Sequence, residues 1–345
     1  MLTHHETLFY TLLLSGVLVF VMLLSISIGS IDISLETVAK ILYTQLFFQH
    51  DSYAFDESQQ VIIWMIRTPR VIVAALVGLA LAIAGVQMQG LLQNPLASPD
   101  IVGTSSGAAL GAVIALATGL AAHSFFYLPL FSFIGAFLAL FIVYLIATQD
   151  GHTPIVTLLL AGVALNTFIG AITSFLISTT WADYDIAREI VFWMMGGLEN
   201  RTWSHVAIIS PSVILGVLIG RWYHRELDIL LMGQDTAYSL GVEVERVKQI
   251  ILINTALLTS AAVAVSGIVG FVGLIIPHAV RLIIGPQHNS LIPISALSGA
   301  IFLVLVDLLA RILYRPQEIR LGILTAALGA PFFLYLLLRH RQTSW

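Results

Sequence analysis

The chain has 345 residues, of which 58% are hydrophobic and only 10% charged, with a formal net charge of -4. That is the composition of a protein whose solvent is lipid, and it lacks the clustered positive charge that nucleic acid demands of a partner. With no cysteine, disulfides, thiolate metal sites and cysteine nucleophiles are all excluded.

The N-terminus, MLTHHETLFYTLLLSGVLVFVMLLSISIG, has no basic n-region, and its apolar run of about 20 residues exceeds a signal-peptide core. It reads as a retained first helix. A crossing takes roughly 20 apolar residues. Stretches free of Asp, Glu, Lys and Arg extend from Val71 to Pro99, Ile101 to Gln149, Gly151 to Ala182, Gln249 to Val280 and Leu282 to Val306, so several hold more than one crossing. The expected crossings are Leu8 to Gly29, Arg70 to Leu92, Ile101 to Gly119, Phe125 to Thr148, Ile155 to Ser178, Trp203 to Arg221, Gln249 to Ile268, Leu274 to Ile284, Leu291 to Ala310 and Leu321 to Leu338. The eighth is the shortest, and an even number puts both termini on one side. Ser30 to Ile66, Thr179 to Thr202 and Tyr223 to Lys248 remain, none able to hold a soluble domain of ordinary size. The expectation is one all-α transmembrane domain over 1–345.

Basic residues do not orient it. With cytoplasmic termini, Arg221, Arg225, Arg246, Lys248, Arg281, Arg339 and Arg341 lie inside and Lys40, Arg67, Arg70, Arg188, Arg201, Arg311, Arg315 and Arg320 outside. These nearly balance, so the positive-inside rule is silent. Outer arginines are expected where something acidic docks.

LAIAGVQMQGLLQNP (Leu81 to Pro95) aligns with VAVSGIVGFVGLIIP (Val263 to Pro277), matching Ala82 with Ala264, Gly85 with Gly267, Leu92 with Leu274 and Pro95 with Pro277. The copies fall in the second and seventh helices and would run in opposite directions, as in the inverted repeats of transporters. Gly103, Gly107, Gly111, Ala115 and Gly119 recur every four residues, as do Gly162, Asn166, Gly170 and Ser174. Such stripes let helix backbones approach closely. Asn166 adds a polar amide that needs a partner or a wet cavity at membrane depth.

Several motifs together resemble one family. RTPRVIVAALVGLALAIAGVQMQGLLQNPLASPDIVGTSSGAALGA, LLLAGVALN, FWMMGGL, SLGVEVERVK, SGIVGFVGLIIPHAVRLIIG, DLLAR and LGILTAALGAPFFLYLL look like the permease subunits of bacterial ABC importers for iron-siderophores, haem and cobalamin, the FecCD-type transmembrane family. The resemblance runs from about Arg67 to Arg339. It implies the type II importer fold, with ten helices and an inverted repeat of helices 2–5 and 7–10. It also implies a dimer, a homodimer in the simplest case, around one pathway in the bacterial inner membrane, with cytoplasmic termini. Two separate ATP-hydrolysing subunits would sit below, and a periplasmic binding protein above. No catalytic residue, metal or cofactor is expected in this chain, and ATP is used by the partners.

Carried over residue by residue, the resemblance assigns Arg67, Arg70 and Arg311 to docking of the binding protein's acidic lobes, where bidentate pairing suits carboxylates. Arg67 and Arg70 also suit interfacial anchoring, and Asp307 is expected to pair with Arg311 one turn later. Asn94 and Leu96 are the expected cytoplasmic gate, in a turn that Pro95 and Pro99 keep from helix and that Asp100 ends as a helix cap. By the repeat, Ile276 and His278 would hold the matching outward position. The pathway would be lined by Asn166, Thr167, Gly170, Thr173, Ser174 and Thr325. The segment 223–248 would make coupling helices divided at Gly233, with Leu240, Gly241, Val242 and Arg246 toward the ATPase.

Lys40 and Lys248 follow Ala39 and Val247, so the Gly-Lys of a P-loop is missing. A proton-coupled secondary transporter of a small solute would need buried acids or histidines, which helices two to five lack. An embedded enzyme would need a metal or acid–base constellation, and the ten histidines show no HExxH spacing. The cargo stays open at this level, with ferric siderophore first and haem and cobalamin behind it.

Overall fold

The computed structural model describes residues 3–29, 31–47, 56–180 and 184–341; parts of the expected Ser30 to Ile66 and Thr179 to Thr202 connections fall outside them. Among the described residues the elements are α1 (His4–Ser27), α2 (Leu35–Phe47), α3 (Glu57–Gln60), α4 (Thr68–Leu91), α5 (Thr104–Ala117), α6 (Leu120–His123), α7 (Tyr127–Ala147), α8 (Ile155–Thr180), α9 (Tyr184–Met194), α10 (Trp203–Trp222), α11 (His224–Leu230), α12 (Gln234–Ser239), α13 (Val244–Ser266), α14 (Val272–Ile284), α15 (His288–Ile312) and α16 (Leu321–Arg341). Apolar side chains without water leave the helix as the form that satisfies its own backbone. Seven helical segments among the described residues are long and apolar enough to cross a membrane, and Thr104–Ala117, Val272–Ile284 and Leu321–Tyr335 are shorter apolar helices. The end of the bundle from which α1 starts is named the terminal face, and the end that α1 reaches the distal face.

The core is built around α4 and α13. α4 packs on α13, α14 and α15, while α13 packs on α4, α5 and α7. Exchanging α4 with α13, α5 with α14 and α7 with α15 maps one set onto the other, which is the packing expected of an inverted repeat. The seams are made of small residues. A Cβ on Gly85 would overlap the Gly273 carbonyl, and one on Gly78 the Gly299 carbonyl. Lipid drives no apolar helix pairing by itself, so such close backbone approach is what holds these helices together.

Four expectations are corrected. Helix two does not begin at Arg70: α3 continues through a π-helical stretch, Val61–Arg67, into α4. Pro69 cannot donate the bond that Met65 would accept, and the widened turn absorbs that loss while the Thr68 hydroxyl donates to the Ile63 carbonyl at 2.7 Å. Helix three begins at Thr104, not Ile101, because Gly103 takes φ +87°, a left-handed conformation that only glycine adopts freely. Helix seven begins at Val244, not Gln249, its first-turn charges being paired. The fifteen-residue alignment is not the structural register: Pro95 lies in the turn after α4, whereas Pro277 lies inside α14. Ile276 and His278 are buried inside α14 and not in a turn matching that of Asn94 and Leu96.

α14 has 13 residues, about 20 Å of helix against a hydrocarbon core of about 30 Å. It begins alongside the middle of α4, where a Cβ on Gly273 would lie 2.9 Å from the Leu81 carbonyl and 3.1 Å from Pro99 Cδ. Pro99 thus reaches the same depth from the other repeat. Within the turn from Gln93 to Gly103, Gln93, Asn94 and Pro95 are exposed while Ala97, Pro99, Val102 and Gly103 are buried, so its non-helical backbone goes deep only where protein covers it.

Candidate functional site

On the distal face Arg67, Arg70 and Arg311 line one cavity of about 270 Å3 together with Arg315 and Glu318. They do not stand free. Arg70 forks onto two carboxylates, Asp307 Oδ1 at 2.9 Å and Glu318 Oε2 at 2.7 Å. Arg67 Nη1 donates to the carbonyls of Ile26 (2.8 Å) and Ser27 (2.9 Å). Arg311 donates to the carbonyls of Ser25 (2.9 Å) and Ile28 (3.0 Å) and pairs with Asp307 at 3.2 Å, as its spacing led one to expect. The end of α1 has no helical donors for its last carbonyls, and Arg67 and Arg311 supply them. Arg67, Arg70 and Arg311 brace α1, α4 and α15 internally, with the more exposed Arg315 at the rim, 4.0 Å from Asp32.

At the terminal face the expected gate is an Asx turn, with Asn94 exposed and its Oδ1 accepting from the Leu96 N–H at 2.9 Å. Asp100 does not cap α5. It accepts from the Ser105 hydroxyl, and its carbonyl and that of Ile101 receive Asn166 Nδ2 at 2.9 and 3.4 Å. Asn166 lies about three turns into α8, so its amide fastens this turn to α8.

The segment from Tyr223 to Glu243 forms α11 and α12, divided at Leu231–Gly233. Leu227, Leu230 and Ala237 are buried against the bundle, while Met232 and Leu240 are 69% and 62% exposed. These are apolar knobs on the outer surface of the segment. Gly241 is exposed, Val242 half-buried, and Arg246 exposed and paired with Glu243 at 3.2 Å. Two sets of bonds fasten this segment to the bundle. Gln93 Nε2 donates to the Leu230 carbonyl at 2.6 Å, tying α11 to the turn that holds Asn94 and Leu96. Lys248 donates to the Thr153 carbonyl (2.9 Å), Gln234 (3.0 Å) and Glu245 (2.8 Å), tying α12 and α13 to the turn before α8. A buried ammonium is stable only when so surrounded.

The expected pathway residues divide. Thr167, Gly170 and Ser174 are exposed on a face of α8 that continues through Val156, Leu160 and Val163. Thr173 and Thr325 are buried, their hydroxyls donating to the carbonyls of Ile169 (2.9 Å) and Gly322 (3.3 Å). They are corrected to packing positions, since a hydroxyl that donates within its own helix can face an apolar neighbour without penalty.

Sequence reasoning missed the amide seam. Gln87 Oε1 accepts from Asn254 Nδ2 at 3.0 Å and Thr255 Oγ1 at 3.4 Å, Asn254 also reaches the Gly216 carbonyl at 3.1 Å, and Gln89 donates to the Leu274 carbonyl at 3.1 Å. These bonds join α4, α10, α13 and α14. Amides inside charge-free runs were the available signal. No group of three or more His, Cys, Asp or Glu side chains that could hold a metal occurs among the described residues.

The comparisons agree with this geometry. Residues 17–339 match the FecCD transport family. The chain is 46% identical over 285 residues to the cobalamin import system permease protein BtuC of Halobacterium salinarum, covering 83% of this chain and 75% of that one. It is 42% identical to the hemin transport system permease protein HmuU of Yersinia pestis, covering 81% and 84%. It is 41% identical to the Fe(3+) dicitrate transport system permease protein FecD of Escherichia coli, covering 80% and 84%. Among solved structures, an inward-facing ABC transporter of metal-chelate type superposes with TM-score 0.83 at 31% identity, covering 95% of this chain and 98% of that one. With all but its two ends matched, the chain belongs to the FecCD transport family.

Proposed function

We propose that this chain is the permease subunit of an ATP-driven importer that passes a metal chelate across the inner membrane by alternating access. Ferric siderophore is the first expectation, with haem and cobalamin next. The observation that carries this reading is the coupling segment: α11 and α12 are fastened to both the gate turn and the start of α8, yet present Met232 and Leu240 outward. A helical segment so attached converts a push from outside the lipid into movement at Asn94 and Leu96. The partner delivering it is a separate ATP-hydrolysing subunit, one per permease copy, and the termini are cytoplasmic.

The open face of α8 with Thr167, Gly170 and Ser174 supports a second copy of the chain, with the pathway between the two. Docking of a periplasmic binding protein uses the distal cavity, its rim at Arg315 and its floor shaped by Arg67, Arg70 and Arg311. No cofactor is assigned to the chain itself.

Reconstitution tests the reading. In vesicles the chain alone should accumulate no chelate, with or without a proton gradient, whereas adding its ATPase subunit, binding protein and ATP should drive uptake that survives an uncoupler. Uphill uptake by the chain alone would overturn it.

A further inference from the structure

Near the distal ends of α9 and α10 lies a cavity of about 590 Å3, lined by none of the docking, gate, pathway or coupling residues named above. That volume is in the range of small-molecule sites, roughly 300–1,000 Å3. One wall is formed by Phe125 and His205, whose rings meet edge to face with centroids 4.6 Å apart. Another is Phe192, with the Arg320 guanidinium 4.4 Å from its ring centroid.

The charges are unequal in depth. Asp185, Arg188 and Glu189 are exposed on α9, where water screens them. Farther in, Arg320 is matched by Glu199 at 2.9 Å. Arg201 has no such match. Its Nη1 makes a 3.4 Å contact with His205 Nε2, and no carboxylate forms an ion pair with it among the described residues. Its Nε is buried without a hydrogen-bond partner, and so is the indole Nε1 of Trp193, which also lines the cavity. Burial, followed by the positive charge of Arg70, pushes the Arg201 guanidinium down to about 10, so at neutral pH it remains a cation.

Buried donors in folded proteins have acceptors, and a guanidinium takes an oxyanion best. We propose that this cavity binds an organic carboxylate with a flat apolar body, its oxygens taken by the Arg201 guanidinium and its body lying among Phe125, His205 and Phe192. On the importer reading, on which only its biological meaning rests, the ligand is a carboxylate-bearing chelate pausing before the pathway. Aromatic walls reward flat ligands, and Arg201, which Glu199 offsets only through space and without an ion pair, is the cation left to take a carboxylate.

The test uses full-length protein in lipid nanodiscs, with 2-naphthoate and its uncharged amide as probes and no ATPase or binding protein present. Saturable binding of 2-naphthoate is expected above that to empty nanodiscs, with the amide at least ten-fold weaker. Arg201→Gln, checked for an unchanged Tm, should weaken naphthoate at least ten-fold and leave the amide unaffected. Equal affinity for the two probes in the unaltered protein, absence of saturable binding, or full affinity in a folded R201Q protein would each overturn the proposal. None of those outcomes touches the importer reading, and failed chelate uptake in vesicles would not alter naphthoate binding.

Discussion

Asp228 Oδ1 binds both the backbone N–H of His288 at 2.8 Å and the ring Nδ1 of the same residue at 2.7 Å. One carboxylate oxygen therefore pins the first residue of α15 to α11, where a negative charge also meets the positive end of the α15 dipole. The imidazole in turn presses on the end of α4, since a Cβ on Gly90 would come within 2.5 Å of His288 Nε2. Together with the Gln93 bond to Leu230, this joins α11, the Asn94–Leu96 turn and α15 into one mechanical unit. Asp228→Ala should cost about 1–2 kcal/mol, the usual loss on removing a helix cap. It should also lower chelate uptake per ATP hydrolysed at least ten-fold in the reconstituted importer while hydrolysis continues. An unchanged uptake-to-hydrolysis ratio would show that force does not pass through this contact.

The Arg70 fork leads to a prediction about stability and docking together. Asp307 is fully buried and faces Arg70 and Arg311. Removing one partner of a buried charge cluster costs about 3–5 kcal/mol, so Asp307→Ala should lower Tm steeply, and Arg70→Ala should do so as well. Arg315, with a side chain 41% exposed, is the contrasting case. Arg315→Ala should leave Tm in place and weaken binding of the periplasmic protein several-fold, an effect that shrinks at high salt. Surface plasmon resonance at two ionic strengths, beside a melt of each variant, separates the two roles.

How much of this was legible beforehand follows from the physics of each feature. Runs of apolar residues located the crossings because length and composition alone decide what lipid accepts. The pairing of Asp307 with Arg311 was visible because it lies within one helix at i, i+4. The brace formed by Arg67, Arg70 and Arg311 was hidden: its acceptors are the α1 carbonyls, Asp307 and Glu318, contributed from elsewhere in the chain, and a sequence shows an arginine's charge without showing what meets it. Lys248 misled in the same way. It marked a loop by charge, yet its amine is buried among Thr153, Gln234 and Glu245. Thr173 and Thr325 looked like pathway residues by polarity alone, whereas which face of a helix is lined depends on its neighbours.

Gly85 and Gly273 set the closest approach of the two repeats. A methyl group at Gly85 would overlap the Gly273 carbonyl, and backbone cannot step aside as a side chain can. Gly85→Ala should cost about 1–3 kcal/mol, the range for overpacked interiors, and Gly85→Leu should prevent accumulation of folded protein. Both can be read from the yield of monodisperse protein in detergent and from its melting temperature. Unchanged stability of Gly85→Leu would mean that α4 and α14 do not meet there.

Gly170 provides the opposite case on α8. A Cβ there meets nothing within 4 Å in the single chain, so Gly170→Leu leaves the fold of the monomer and its Tm unchanged. On the face shared with Thr167 and Ser174, however, an added isobutyl group would hold a second copy of the chain apart, because small residues are what permit two lipid-embedded helices to touch. Mass photometry in nanodiscs should therefore show a shift from dimer to monomer, with chelate uptake lost in step. If Gly170→Leu stays fully dimeric and transports normally, this face of α8 looks onto lipid, and the pathway must be sought on another side of the bundle.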